Sequence, residues 1–313
     1  MTPSRGLIVA LAIGALGIVR PAVSESSKTN FCTKSTRAAS KACEAGALDD
    51  YWTTVGRCNN DSDAGARETC LDTARSDKAD ALDECPDRRD ARLNICDRLG
   101  QEPYDPPIDP THFLTPAQIA ANPNPLYPLV PGTVWRYLGG GEENTVTVTS
   151  DTREILGVTT VIVHDVVAVS GQITEDTEDY FTQDTDGNVW YFGELSESFE
   201  NGFLNDLEGS WIGGVDGGKP GIIMKAHPAV GDFYRQEFLL GDAEDVAEVT
   251  STTGTESVPA ASCNGACLVT HETSGLEPDA SEDKYYVTGI GQILEVDRES
   301  GARNELVEYT PGP

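Results

Sequence analysis

Basic residues are what this 313-residue chain has least of: seven lysines and four histidines, with only two methionines beside them. Its 22 lysines and arginines face 52 aspartates and glutamates, a formal net charge of −30. So negative a surface repels nucleic-acid phosphate and anionic lipid, which excludes both as partners. The plain consequence is solubility, and a cation or a basic partner is the narrower alternative. Beyond the first two dozen residues no apolar run approaches the ~20 residues that cross a bilayer, so no membrane insertion is expected. HExxH and GxSxG are both absent, which removes two common hydrolase signatures. No CxxC pair occurs, and zinc sites use such close pairs. Neither an internal repeat nor a strand–helix alternation is present, which argues against a solenoid or a parallel α/β fold.

What is present divides into zones. Arg5, an apolar run from Leu7 to Val19, and small residues ending at Ala22, Val23 and Ser24 have the layout of a signal peptide over 1–24. Export, to the periplasm or as a secreted protein, suits the eight cysteines, an even number for disulfides in an oxidising compartment. Residues 27–100 are rich in alanine and charge and hold six cysteines, a composition that favours helix. Residues 101–132 hold nine of the eighteen prolines and predict a stiff extended connector. Within it, "TPAQIAA" predicts one helical turn capped by Thr115 with Pro116 at its first position. Residues 133–313 show short alternating runs such as "TVWRYL", "TTVIVHDVVAV" and "NVWYFGE", bounded by Gly, Asp and Asn. That pattern predicts an antiparallel β-sandwich or a curled, barrel-like domain, with turns at "DTDGN" and "CNGAC". The fold class is therefore α+β, mainly β.

The six early cysteines, 32, 43, 58, 70, 85 and 96, have the palindromic spacings 11, 15, 12, 15 and 11. Each outer pair is centred on residue 64, so two antiparallel helices folding there bring all three pairs into register. At about 100° per residue, steps of 11 and 15 drift by only ~20° and ~60°, which keeps each helix's cysteines near one face. Bridging neighbours within a helix fails on distance, since eleven residues span roughly 16 Å against a Cα separation under ~7 Å. The predicted bridges are Cys32–Cys96, Cys43–Cys85 and Cys58–Cys70, with Cys263–Cys267 as a fourth. Pro86 and Gly46 flank the middle rung and predict a break in both helices there. At the tip "NNDSDAG" Ala64 stands where a calcium loop needs glycine and Cys70 where it needs glutamate, so it is expected to be the solvated turn of the hairpin.

Several near-motifs fail on inspection. "GGVDGGKPG" places Pro220 where a phosphate loop needs a hydroxyl, so a glycine loop is the better account. "DTDGNVW" has its glycine two positions early for calcium and runs straight into a strand. His164 and Asp165 interrupt a valine-rich strand, so one of them must point among valines. An inward Asp165 shares a face with Val161, Val163, Val167 and Val169 and needs a partner, for which Arg235 is the candidate. The competing accounts are a buried structural Asp–Arg pair and a ligand pocket formed by Asp165, Arg235, Glu237 and Trp190. Met224 and His227, three apart, are the residue types that suit copper in an oxidising compartment.

From Asn124 onward, "NPLYPLVPGTVWRY", "EILGVTTVIVHDVV", "QDTDGNVWYFGE", "KPGIIMKAHPAVGDFYRQEF", "GDAEDVAEV" and "YYVTGIGQILEV" resemble a group of exported bacterial proteins across about 124–310. The resemblance implies a β-rich fold and an exported address, and carries no reaction with it. Its shared pattern implies that Asp165 points inward and His164 outward. More loosely, the "YPLxPGxxWxY" opening and "YYxxGxG" close are similar to β-meander domains that curl around a hydrophobic ligand.

The leading functional expectation is a non-catalytic binding protein of the cell exterior, holding a small molecule or docking an exported partner, with the hairpin as spacer or adaptor. A pocket lined by Trp190, Tyr234 and Phe238 without clustered carboxylates would mark it. The alternatives are a copper- or calcium-binding protein built on Met224 and His227, and a hydrolase using Asp165 with Glu237 or His227.

Overall fold

The computed structural model describes residues 30–313; the expected signal peptide, 1–24, lies outside them. Helices α1 (Phe31–Asn59) and α2 (Ala64–Leu99) form the predicted antiparallel hairpin. Asp63 caps α2, accepting from the Ala66 N–H at 2.7 Å, and the Arg67 guanidinium donates to Asp61 O at 2.9 Å across the tip. That tip is the solvated turn the spacing predicts. Cys32–Cys96, Cys43–Cys85 and Cys58–Cys70 all form, with Cα separations of 5.7, 5.8 and 5.6 Å. Between the rungs the buried side chains are few and mostly small, Ala39, Ala47 and Ala74 with Ile95 and Arg92 near the base, so the staples supply what a minimal core cannot. The expected break is corrected: α2 runs unbroken through Pro86, and α1 through Gly46. A proline costs a helix one N–H and crowds the carbonyl four residues back, and here the Cys43–Cys85 rung beside it ties that turn to α1. Peptide mapping without reduction is expected to return these three pairs with Cys263–Cys267, and a 32–43 or 85–96 link contradicts the hairpin.

The remaining chain forms fifteen antiparallel strands: β1 (Val134–Gly139), β2 (Glu142–Ile155), β3 (Val158–Val169), β4 (Gln172–Gln183), β5 (Val189–Glu200), β6 (Phe203–Asp206), β7 (Trp211–Ile212), β8 (Lys219–Met224), β9 (Phe233–Arg235), β10 (Glu237–Phe238), β11 (Asp245–Val258), β12 (Ala261–Ser274), β13 (Ser281–Val287), β14 (Gly291–Asp297) and β15 (Arg303–Thr310). They pair in the order β10-β8-β5-β4-β3-β2-β1-β15-β14-β13-β12-β11-β9, with β6 and β7 as side branches on β5. The two ends of that path adjoin in sequence, because β10 pairs with β8 and β9 pairs with β11. The stretch 233–238 thus closes the sheet, and the curled, barrel-like form holds rather than the sandwich. Closure removes the open edges that a sheet of this size would otherwise present.

The proline-rich segment is more than a connector. Ile119, on α3 (Pro116–Ala121), and Leu129 are 0% and 1% exposed within the inner core. Leu114 N–H donates to Gln183 O at 2.9 Å, Thr185 N–H to His112 O at 2.8 Å, and Gly289 N–H to Pro125 O at 2.6 Å. The segment therefore crosses the rim made by the β4–β5 and β13–β14 turns and plugs that end of the barrel. Upstream, Ile108 and Phe113 cover an outer apolar cluster around Tyr180 and Phe192. The helical turn is as predicted, with Gln118 Oε1 accepting from the Thr115 N–H at 2.9 Å and from its hydroxyl at 2.8 Å.

Asp184 explains the "DTDGN" turn. Its carboxylate accepts from the Asp186 and Asn188 N–H groups at 3.0 and 2.8 Å, and from Asn188 Nδ2 and Trp190 Nε1, both at 2.8 Å. Its acceptor capacity is consumed by the turn. Asp184→Ala is expected to cost about 1–3 kcal/mol in the denaturant midpoint, because it orphans these donors. "CNGAC" is corrected: it lies inside β12, where the pairing with β11 shifts register, and the hairpin reverses at Pro259–Ala260 instead. The Cys263–Cys267 bridge clamps that irregular stretch.

Candidate functional site

Alternation along the strands directs a polar set into the barrel lumen, a cavity of about 480 Å³. Its plugged end is apolar and aromatic, with Leu129, Trp135, Val148 and Phe181. Toward the other rim stand Asp165, Asp179, Glu194, Glu237 and Glu295, with Lys284 among them. Asp165 shares its face with Val161, Val163 and Val167, and His164 points outward to Asp176 on β4, 2.5 Å away.

Four of the lumen carboxyls, those of Asp165, Asp179, Glu194 and Glu237, are pushed toward their protonated forms. Burial, then the charges of Asp179 and Glu175, push Asp165 up to about 8. Burial, then Glu194, push Asp179 up to about 8, although it accepts a 2.6 Å hydrogen bond from the Tyr191 hydroxyl. Burial raises Glu194 to about 7 and lifts Glu237 well above the carboxylate range. Lys284 behaves oppositely: burial pulls it down, but Glu272, Glu295 and Glu282, at 3.0, 3.5 and 3.5 Å, more than offset that. Among the described residues, no three His, Cys, Asp or Glu side chains converge to hold a metal ion.

Arg235 is not the partner of Asp165, whose carboxylate instead accepts from Asn144 Nδ2 at 2.9 Å. The reason is the interruption between β9 and β10 at Gln236. Gln236 and Glu237 both face the lumen, while Arg235 and Phe238 face outward. Glu237 accepts from Trp211 Nε1 at 2.9 Å. Of the predicted pocket residues, Asp165 and Glu237 line the lumen, and Arg235 and Trp190 line a second cavity outside the wall. The copper pair is not brought together either: Met224 is 0% exposed in the core and His227 stands exposed.

That second cavity, about 490 Å³, lies where the open end of the hairpin and the proline-rich segment meet the outer barrel wall. Phe31, Tyr104, Trp190, Phe233, Tyr234 and Phe238 line it. The hairpin is held there by a buried pair, in which Glu244 accepts from Arg92 Nε and Nη2 at 2.7–3.1 Å. Gly275 backs onto this pair so closely that a Cβ there would lie 2.9 Å from Glu244 Oε2 and 3.1 Å from Arg92 Cγ. Beside it, Arg98 donates to Glu248 at 2.7 Å and stacks 3.7 Å over the Phe233 ring. The expectation of a hairpin standing off as a spacer is thereby corrected: its base is docked on the barrel. Tyr104 donates to Pro220 O at 2.9 Å, and burial pushes its own pKa up to about 12.

No family model, no curated protein and no solved structure matches this chain. The site therefore rests on its own geometry. Sequence reasoning missed Arg92, Glu244 and Tyr104. "RRDARL" and "DAEDVAE" look like any solvated charge run, and nothing local tells that one member of each meets the other across 152 positions.

Proposed function

We propose that this chain is an exported, non-catalytic binding protein whose ligand seat is the aromatic cavity between the hairpin and the barrel. The observation that carries the reading is the lining. Trp190, Tyr234 and Phe238 come together with Phe31, Tyr104 and Phe233 around about 490 Å³ of space. This is the concave, mostly apolar kind of space that takes small molecules. Of the two acids in its lining, Glu244 is committed to Arg92 and Glu102 has a partner of its own. Export is supported by four disulfides and by the absence of free cysteine among the described residues.

Titration with the neutral fluorophore N-phenyl-1-naphthylamine tests the seat. One saturable site per chain is expected, with energy transfer from Trp190 that is lost in Trp190→Phe. Ser35→Trp, from the hairpin side, and Leu240→Trp, from the barrel side, both fill the cavity and are expected to weaken binding at least tenfold. Unchanged probe uptake in both filled variants, each with a wild-type melting point, contradicts the reading.

A further inference from the structure

We infer that the ligand of this cavity is an apolar carboxylic acid whose carboxylate pairs with Arg235; the inference rests on the cavity being the ligand seat. Arg235 is 8% exposed and, among the described residues, makes no ion pair and has a buried Nη1 without a hydrogen-bond partner. Arg92, in the same lining and 5% exposed, shows what such a group ordinarily requires, a carboxylate held by two of its nitrogens. A buried cation left unpaired is costly, and one partner on hand would offset much of that cost.

Among the described residues no side chain pairs with Arg235, and Glu102, the other acid in the lining, has a partner of its own. Both oxygens of Glu244 are taken, by Arg92 and by the Gly241 N–H at 2.8 Å. Asp105, next to the lining Tyr104, pairs with Lys219 at 2.5 Å. The Tyr104 hydroxyl donates to Pro220 O and, being neutral, cannot balance the guanidinium charge. What surrounds the guanidinium instead is aromatic: Phe238 at 4.4 Å and Tyr104 at 5.5 Å from ring centroid to Cζ. Rings attract the cation yet leave in-plane N–H groups without acceptors. A carboxylate accepts two such donors in the fork geometry of guanidinium. A monoanion is neutralised by one arginine, whereas a phosphate dianion would leave net charge in an apolar chamber. The remaining lining, Phe31, Trp190 and Leu240 among it, suits a hydrocarbon or aromatic body.

Calorimetry with matched probes tests this on the full chain. Dodecanoate and 1-naphthoate are compared with dodecanol and 1-naphthalenemethanol, on wild type and on Arg235→Met, which keeps length and ring contact without charge. At least a tenfold preference for acid over alcohol is expected in wild type, and its collapse to near unity in Arg235→Met. Alcohols binding as tightly as acids to wild type would overturn the carboxylate assignment while leaving the seat in place. Acid binding undiminished in Arg235→Met would do the same. If neither acids nor alcohols bind, the inference and the proposed function both fall. The melting point of Arg235→Met, expected at or above wild type because an unpaired buried charge is gone, reports that the variant folds.

Discussion

Arg92→Ala is expected to destabilise docking of the hairpin by about 3–5 kcal/mol, the usual cost of leaving one member of a buried ion pair alone. Arg92 and Glu244 are 5% and 1% exposed, and they join α2 to the loop before β11. Without the guanidinium, Glu244 keeps only the Gly241 N–H as a partner. The barrel has its own core and closure, so the loss should fall on docking. Proteolysis within 101–111 should accelerate, an early unfolding step should separate from the main one in urea, and naphthylamine uptake should fall with the cavity wall. Arg92→Met combined with Glu244→Leu is expected to recover most of the stability, because apolar replacement of both partners removes the desolvation cost as well as the attraction. A single cooperative transition unchanged in Arg92→Ala would show that the hairpin is fastened elsewhere.

The second large effect is on pH. Asp165 and Asp179 have folded pKa values raised to about 8, and Glu194 to about 7, in each case chiefly by burial. In the unfolded chain such groups ionise near 4. A carboxyl whose folded pKa is raised binds its proton more tightly in the native state. Its contribution is fully present below the unfolded value and is lost as pH rises through 7–8. Stability should therefore decline from pH 5 to pH 9, by about 1.4 kcal/mol per pH unit for each net proton held, until the lumen ionises. Asp179 and Glu194 titrate together, so they count as a pair rather than as two independent sites. Asp165→Asn is expected to raise the melting point most at pH 8, less at pH 5, and hardly at all near pH 4, where the carboxyl is largely protonated in both states. Glu272, whose pKa is lowered because Lys284 and hydrogen bonds outweigh its burial, works in the opposite direction and is fully effective across this range. A melting point that rises steadily from pH 5 to pH 9 would contradict the protonated lumen.

These two effects show where the sequence was legible. Six cysteines at mirror spacings specify their own pairing, because helix geometry leaves few partners within reach. The valine-rich run "TTVIVHDVVAV" tells that one of His164 and Asp165 faces inward without telling which, and the short strands with tight turns announce a curled antiparallel sheet. Asp179 was not legible as a lumen residue. In "TEDTEDYF" the acidic positions look like a solvated face, and only barrel closure turns one of them inside. Arg235 was assigned to the wrong side because one irregular residue, Gln236, shifts the alternation after it. The proline-rich segment looked like a spacer because prolines exclude regular elements, yet Phe113, Ile119 and Leu129 between them anchor it to the barrel.

The central claim is that a small ligand sits between the hairpin and the barrel wall. Hydrogen exchange on the intact chain with and without dodecanoate tests it most directly. The predicted result is slowed exchange at 31–36 and 100–106, which line the cavity from the hairpin and the proline-rich segment, with the lumen strands β3 and β4 unchanged. Protection confined to β3 and β4, or none at saturating dodecanoate, would contradict it.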